Sequence, residues 1–195
     1  MRNDQRTTRI RAAIRIDHAR CSDAELVAPL FDAYRQFYGE ESDIRAAAEF
    51  LTARLASGDA VVLLARVEPA PASDPRAVVG FAQLYRSHSS VALARTFVLN
   101  DLFVVPEWRG HGVGRALLAD AAELATHARA VRMEIATQRT NHGALGLYES
   151  QGFVQDTEFT HLSLQLRPTK TRAAGGSVST TPTHDVENRH RDVQD

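Results

Sequence analysis

Residues 99–118 read LNDLFVVPEWRGHGVGRALL, and this stretch limits the possible folds more than any other. An apolar, strand-like run stops at Pro106, Gly110, Gly112 and Gly114 crowd around His111, and an aliphatic helix-like run follows at once. Glycine leaves backbone N–H groups uncovered, so an anion can approach them closely. A helix opening directly after such a turn adds the partial positive charge of its N-terminus. Strand, bare turn and helix in that order predict a phosphate-binding unit, and the identity of the phosphate decides the function.

The flanking segments supply the rest of a domain. AIRI at 13–16 alternates like a short strand. Val27, Leu30, Tyr34, Phe37 and Tyr38 recur at helical spacing after a cap at Ser22 or Asp23, and Gly39 ends that helix. A second helix is expected over about 42–55, stopped by Gly58. DAVVLLARVE and RAVVGFAQLYR read as two strands joined by the turn-rich loop PAPASDP. A third strand, about 94–105, enters the glycine turn, and the helix beyond carries Val113, Leu117, Leu124 and Ala128 on one face. VRMEIAT reads as a strand, Asn141 opens a helix that Gly152 closes, and HLSLQL alternates as a last strand. Residues 97–136 have the length of a parallel βαβ unit. The order of elements predicts an α+β fold: a mixed, mostly antiparallel sheet with helices on both faces.

Composition narrows the function. A formal net charge of −1 over 195 residues argues against a nucleic-acid or anionic-membrane surface. The Arg-rich residues 1–11 read as a flexible solvated arm, and 167–195, without an aromatic residue, as a disordered polar tail. The domain is then expected over 12–166. Cys21 is the single cysteine, so an internal disulfide and a cysteine zinc knuckle are excluded, and a reducing, cytoplasmic setting is expected. The N-terminal residues lack the apolar core of a signal peptide, and AVVLLARV from Ala60 is too short to span a bilayer. No metal is expected, because His18, His88, His127, His142 and His161 show no ligand spacing.

Three kinds of phosphate compete for the turn. A P-loop ends in Gly-Lys-Ser/Thr, whereas this turn ends Gly112-Val113-Gly114-Arg115. A dinucleotide fingerprint needs G-x-G-x-x-G, whereas the spacing here is G-x-G-x-G, and too little chain remains for a second half despite Glu134 at a suitable distance. RGHGVG at 109–114 fits the R/Q-x-x-G-x-G/A signature of the Gcn5-related N-acetyltransferases. TNHGALGLYESQGF at 140–153 resembles that family's second motif, and FDAYRQFYGEESD resembles the substrate-side helices of its diamine and polyamine members.

The resemblance covers roughly 12–166 and implies the family's fold and acetyl-CoA as co-substrate. It places the pyrophosphate on Arg109, Gly110, His111, Gly112, Val113, Gly114 and Arg115, with a direct contact or a backbone bond both open for His111. It implies a strand splayed by a bulge, whose Leu102, Phe103 and Val104 meet the acetyl-pantetheine arm and supply an oxyanion donor, with Asn141 and Ala144 lining the coenzyme. Tyr148 stands where the family's acid tyrosine stands, ready to protonate a thiolate; packing with Leu145 and Leu147 is the alternative role. Asp101 either positions or deprotonates the amine or is a buried structural aspartate, and only one of Asn100 and Asp101 is expected to face the site. The polyamine members carry two adjacent acids here, and this chain has Asn100-Asp101. Tyr34 and Tyr38, with Glu41 in the acidic rim Glu40-Glu41-Asp43, could hold a cation, and Tyr85 is a further candidate. The expected reaction is direct acetyl transfer to a small primary amine in a ternary complex. A non-catalytic acyl-CoA-binding regulator and a protein lysine or N-terminal acetyltransferase are the alternatives. By analogy with the family, a homodimer is possible.

Overall fold

The computed structural model describes residues 13–71, 74 and 77–166; the arm and tail expected at 1–11 and 167–195 lie outside the described residues. The chain divides into two units, 1–155 and 156–195. The first holds β1 (Ala13–His18), α1 (Ala24–Phe37), α2 (Ile44–Ser57), β2 (Ala60–Glu68), β3 (Val78–Ser89), β4 (Ala94–Val104), α3 (Val113–His127), β5 (Ala130–Ile135) and α4 (His142–Ser150). Sheet order follows chain order; the first three pairings are antiparallel, and β4 pairs with β5 in parallel across α3.

Alternation in β2 builds a core on each face. Val62 and Leu64 pack with Val27, Phe31 and Leu51 of α1 and α2, whereas Leu63 and Ala65 pack with Leu117, Leu118 and Ala121 of α3. Each such aliphatic side chain of valine or leucine size contributes about 1.5–3 kcal/mol by burial. The turn between α1 and α2 is held by the buried carboxylate of Asp32, which accepts from Ser42 Oγ at 2.7 Å, the Asp43 N–H at 2.8 Å and Gln36 Nε2 at 2.8 Å. Burial alone would raise its pKa; the hydrogen bonds from Ser42, Asp43 and Gln36 and the charge of Arg35 hold it below the usual carboxylate value.

One irregularity in β4 matters for everything beyond it. Gln83 pairs with Asp101 and the next pair is Leu84 with Leu99, so Asn100 is an extra, bulged residue. Phe97 and Leu99 lie in the α3-side core, and strict alternation would send Phe103 there too. The bulge reverses the faces, and Phe103 packs instead with α1 and α2 while Leu102 and Val104 turn toward α3. Pairing with β5 stops at Leu99–Ile135, whereas pairing with β3 continues to Val104–Gly80. The two parallel strands therefore part after Leu99, as the expected splay requires.

The second unit corrects one expectation. Residues 161–166 take no strand conformation, and Leu162, Leu164 and Leu166 are exposed. Alternation supplies two faces, but a strand is held by ladder hydrogen bonds from a neighbour, and six alternating residues do not provide them alone.

Candidate active site

A cavity of about 540 Å³ opens where β4 and β5 part. Its lining runs from the glycine turn and the start of α3, past residues 102–104 and 135–137, along α4 to the C-terminal end of α1.

At the first end the wall is backbone. Gly112 has φ of 85° and is the N-cap of α3, with no side chain bonded there. The first intrahelical bond runs from the Ala116 N–H to the Gly112 carbonyl, so the first-turn donors at 113–115 have no cap among the described residues. Those three residues line the cavity. A Cβ at Gly110 or Gly112 would meet nothing within 4 Å, so the turn is open toward a ligand as well as left-handed. Uncapped donors, a helix N-terminus and the adjoining Arg115 fit an anion such as a pyrophosphate. Gly114 serves packing instead. A Cβ there would approach Leu147 Cδ2 to 2.9 Å, so its bareness lets the start of α3 close onto α4.

The side chains of the turn divide their work. Arg109 lines the cavity, donates from Nε to the Val104 carbonyl at 3.0 Å and lies 5.7 Å above the Phe103 ring, tying the turn to β4. His111 is outside the lining; its Nδ1 is 2.9 Å from the Arg109 carbonyl and its ring is 5.7 Å from Trp108. Asn141 caps α4, accepting from the Ala144 N–H at 3.2 Å, and both residues line the cavity. Tyr148 also lines it, with its ring 5.8 Å from Phe153. Burial, then the nearby Tyr38, push its hydroxyl pKa up to about 12.

At the far end the wall is side chain. Tyr34 and Tyr38 line the cavity edge to face, with ring centroids 5.1 Å apart. Asp101 is buried beneath them and does not line the cavity. Asn100 Nδ2 donates to both Asp101 oxygens at 3.1 Å, and the Tyr34 hydroxyl lies beside the same carboxylate. Burial raises the Asp101 pKa, and the neighbouring Asn100 amide and Tyr34 hydroxyl oppose the rise. Only one of the pair faces the cavity, and it is Asn100 rather than Asp101; the bulge brings their side chains into hydrogen-bond contact. Glu41 is exposed outside the cavity, and its backbone carbonyl accepts from Arg35 at 3.2 Å. The neighbouring acid Asp43 caps α2. Tyr85 is also outside the lining; its hydroxyl accepts from Gln83 Nε2 at 2.5 Å, and burial, then the charge of Asp101, raise its pKa.

Sequence reasoning did not assign Phe37, Asn100, Trp108, Ile135, Ala136, Thr137, Gly143 or Leu147 to the cavity. Phe37 is visible as a member of the α1 periodicity, and 135–137 as the parallel neighbour of a strand expected to splay. Asn100 carries no signal, because a bulge moves a residue without changing its type.

A β4–α3–β5 unit that splays at its end, with an open glycine turn at one side of the gap and a buried tyrosine at the other, is the architecture of an acetyltransferase. Residues 27–153 match the Acetyltransferase (GNAT) family, and the chain belongs to that family as an N-acetyltransferase. It is 40% identical over 151 residues to the uncharacterized N-acetyltransferase YhfO of Bacillus subtilis (strain 168), spanning 77% of this chain and 97% of that protein. It is 32% identical over 97 residues to the thialysine N-epsilon-acetyltransferase of Mus musculus, spanning 49% of this chain and 56% of that one. The crystal structure of a probable acetyltransferase superposes with a TM-score of 0.73 at 38% identity, covering 78% of this chain and 98% of that one. Family members use acetyl-CoA as co-substrate. Among the described residues no helix is long and apolar enough to cross a membrane.

Proposed function

We propose that this enzyme transfers the acetyl group of acetyl-CoA to a small primary amine by direct attack with both substrates bound. One observation carries the reading: a single cavity connects the uncapped start of α3, Tyr148 and the Tyr34–Tyr38 pair. Acetyl-CoA supplies an activated acyl group as a thioester. The backbone N–H groups of the 110–115 turn would hold its pyrophosphate, with Arg115 adding a cation. The edge of β4 at Leu102, Phe103 and Val104, left free where β5 departs, offers backbone groups to the pantetheine arm. Asn141 and Ala144 border the same groove.

Tyr148 keeps its proton at neutral pH, because its hydroxyl pKa is pushed up to about 12, and it can give that proton to a leaving thiolate. The Tyr34 and Tyr38 rings and oxygens face the amine. The cavity's side chains support direct transfer: Cys21 is exposed ahead of α1, away from the lining, and the lining contains no cysteine to carry the acetyl group.

The test is thiol release from acetyl-CoA against polyamines, amino acids, aminoglycosides and a lysine peptide. Saturable release with one small-amine class is the expected result. Release with the peptide alone would make the chain a protein acetyltransferase. No amine-dependent release, with Trp108 fluorescence still reporting coenzyme A binding, would contradict the small-amine reading and turn the search to an acceptor outside the panel or to an acyl-CoA-binding regulator.

A further inference from the structure

We infer that the acceptor is a monoamine with an apolar body, a ring or an alkyl chain, and without a second cationic centre. This deepens the proposed function and rests on it. At the far end of the cavity the wall is made of rings. Tyr34, Phe37 and Tyr38 all line it, and so does Phe103, whose ring centroid lies 6.3 Å from that of Tyr34. The Phe37 and Tyr38 rings meet edge to face at 5.2 Å and are 55% and 42% exposed. Rings left open in a concave wall are taken out of water by a ligand that brings apolar surface of its own.

The charges near this end are already placed. Among the described residues, Arg109 and Arg115 are the only ionised side chains of the lining; both are cations, and both belong to the glycine end. Asp101 is 5% exposed and lies behind Asn100, whose amide donates to both of its oxygens at 3.1 Å. Its field favours one ammonium group beside Asn100 and none further along the rings. The acids that follow α1 are turned elsewhere. Glu40 lies 4.0 Å from Arg35, Asp43 caps α2, and Glu41 is exposed outside the lining.

A second ammonium group resting on the rings would lose water without gaining a carboxylate. Such a transfer is costly, and the face of a tyrosine or phenylalanine ring offsets only part of it. A polycation therefore fits this end poorly. A monoamine sets its nitrogen near Asn100 and Tyr34 and lays its carbons along Phe37 and Tyr38.

The test adds hexylamine, phenethylamine and hexamethylenediamine to the thiol-release assay of the full chain at neutral pH. Hexylamine and hexamethylenediamine share one six-carbon body and differ only at the second end. The kcat/KM of hexylamine is expected to exceed that of the diamine by about tenfold or more, as an unpaired charge on an apolar wall requires. Phe37→Ala is expected to raise the KM of phenethylamine by about tenfold, the effect of one lost ring contact, with the KM of acetyl-CoA within about twofold. Phe37→Glu supplies the carboxylate that the wall lacks and is expected to bring the diamine level with hexylamine or ahead of it. Equal or better use of the diamine by the unaltered enzyme would overturn the inference. So would an unchanged phenethylamine KM in Phe37→Ala, or an unchanged preference in Phe37→Glu. If no amine releases thiol, the proposed function fails, and calorimetric titration of the same amines into the protein with coenzyme A judges the inference. Heat from the monoamines and not from the diamine supports it; heat from the diamine, or none from either monoamine, overturns it.

Discussion

The two ends of the cavity are built from different materials. The glycine end offers backbone N–H groups at an uncapped helix start, and its glycines serve by having no side chain. The tyrosine end offers side chains from α1, its C-cap and β4, with the buried Asp101 carboxylate outside the lining accepting from Asn100. A backbone site recognises what every donor of this class shares, a phosphate group, and tolerates any sequence that preserves the turn. A side-chain site can be retuned residue by residue, so differences in amine preference among related enzymes should concentrate there.

The largest effect should come from the residue between the two ends. Tyr148→Phe is expected to lower kcat by about 100-fold or more, the range of a lost general acid, with the KM of acetyl-CoA within about twofold. With the hydroxyl pKa pushed up to about 12, the intact enzyme should show no alkaline fall in kcat attributable to this group up to about pH 10. Equal loss of turnover and coenzyme affinity in Tyr148→Phe would make the tyrosine a packing residue and erase the division at this point.

Gly112→Ala sharpens the comparison from the other side. A side chain at φ of 85° costs about 1–2 kcal/mol, so the thermal midpoint should fall by about 2–8 °C. Calorimetric titration should show coenzyme A affinity about tenfold weaker, while the KM of the amine stays put. Unchanged affinity would mean that the turn is not the cradle. The smallest effect is expected at Glu41→Gln, a shift of less than about twofold in the KM of the amine, because Glu41 is exposed beyond the cavity lining. A large shift there would extend the amine site onto the turn between α1 and α2.

The same contrast explains what was legible in the sequence. The glycine end was legible because its chemistry resides in contiguous residues: 109–115 form turn and helix start together, and Asn141 and Ala144 share one cap. Tyr34 and Tyr38 were legible through helical spacing. The Asp101 cluster was only half visible. Its residues were readable as a pair of which one faces the site, but that it is Asn100 depends on the bulge, a matter of register between β3 and β4 that no local pattern encodes. Glu41 misled for a related reason. An acidic run after a helix looks like a cation rim, whereas Asp43 caps α2 and Glu41 offers its backbone carbonyl to Arg35. In HLSLQL the alternation is present without a strand, because ladder hydrogen bonds and not alternation alone hold one.

The central claim is that one cavity holds the coenzyme's phosphates on the turn and its thiol beside Tyr148. A crystal structure with coenzyme A tests it most directly. The account predicts the pyrophosphate within hydrogen-bonding distance of backbone N–H groups in the 110–115 turn, and the sulfur next to the Tyr148 hydroxyl. A pyrophosphate bound elsewhere, or a sulfur remote from Tyr148, would contradict it.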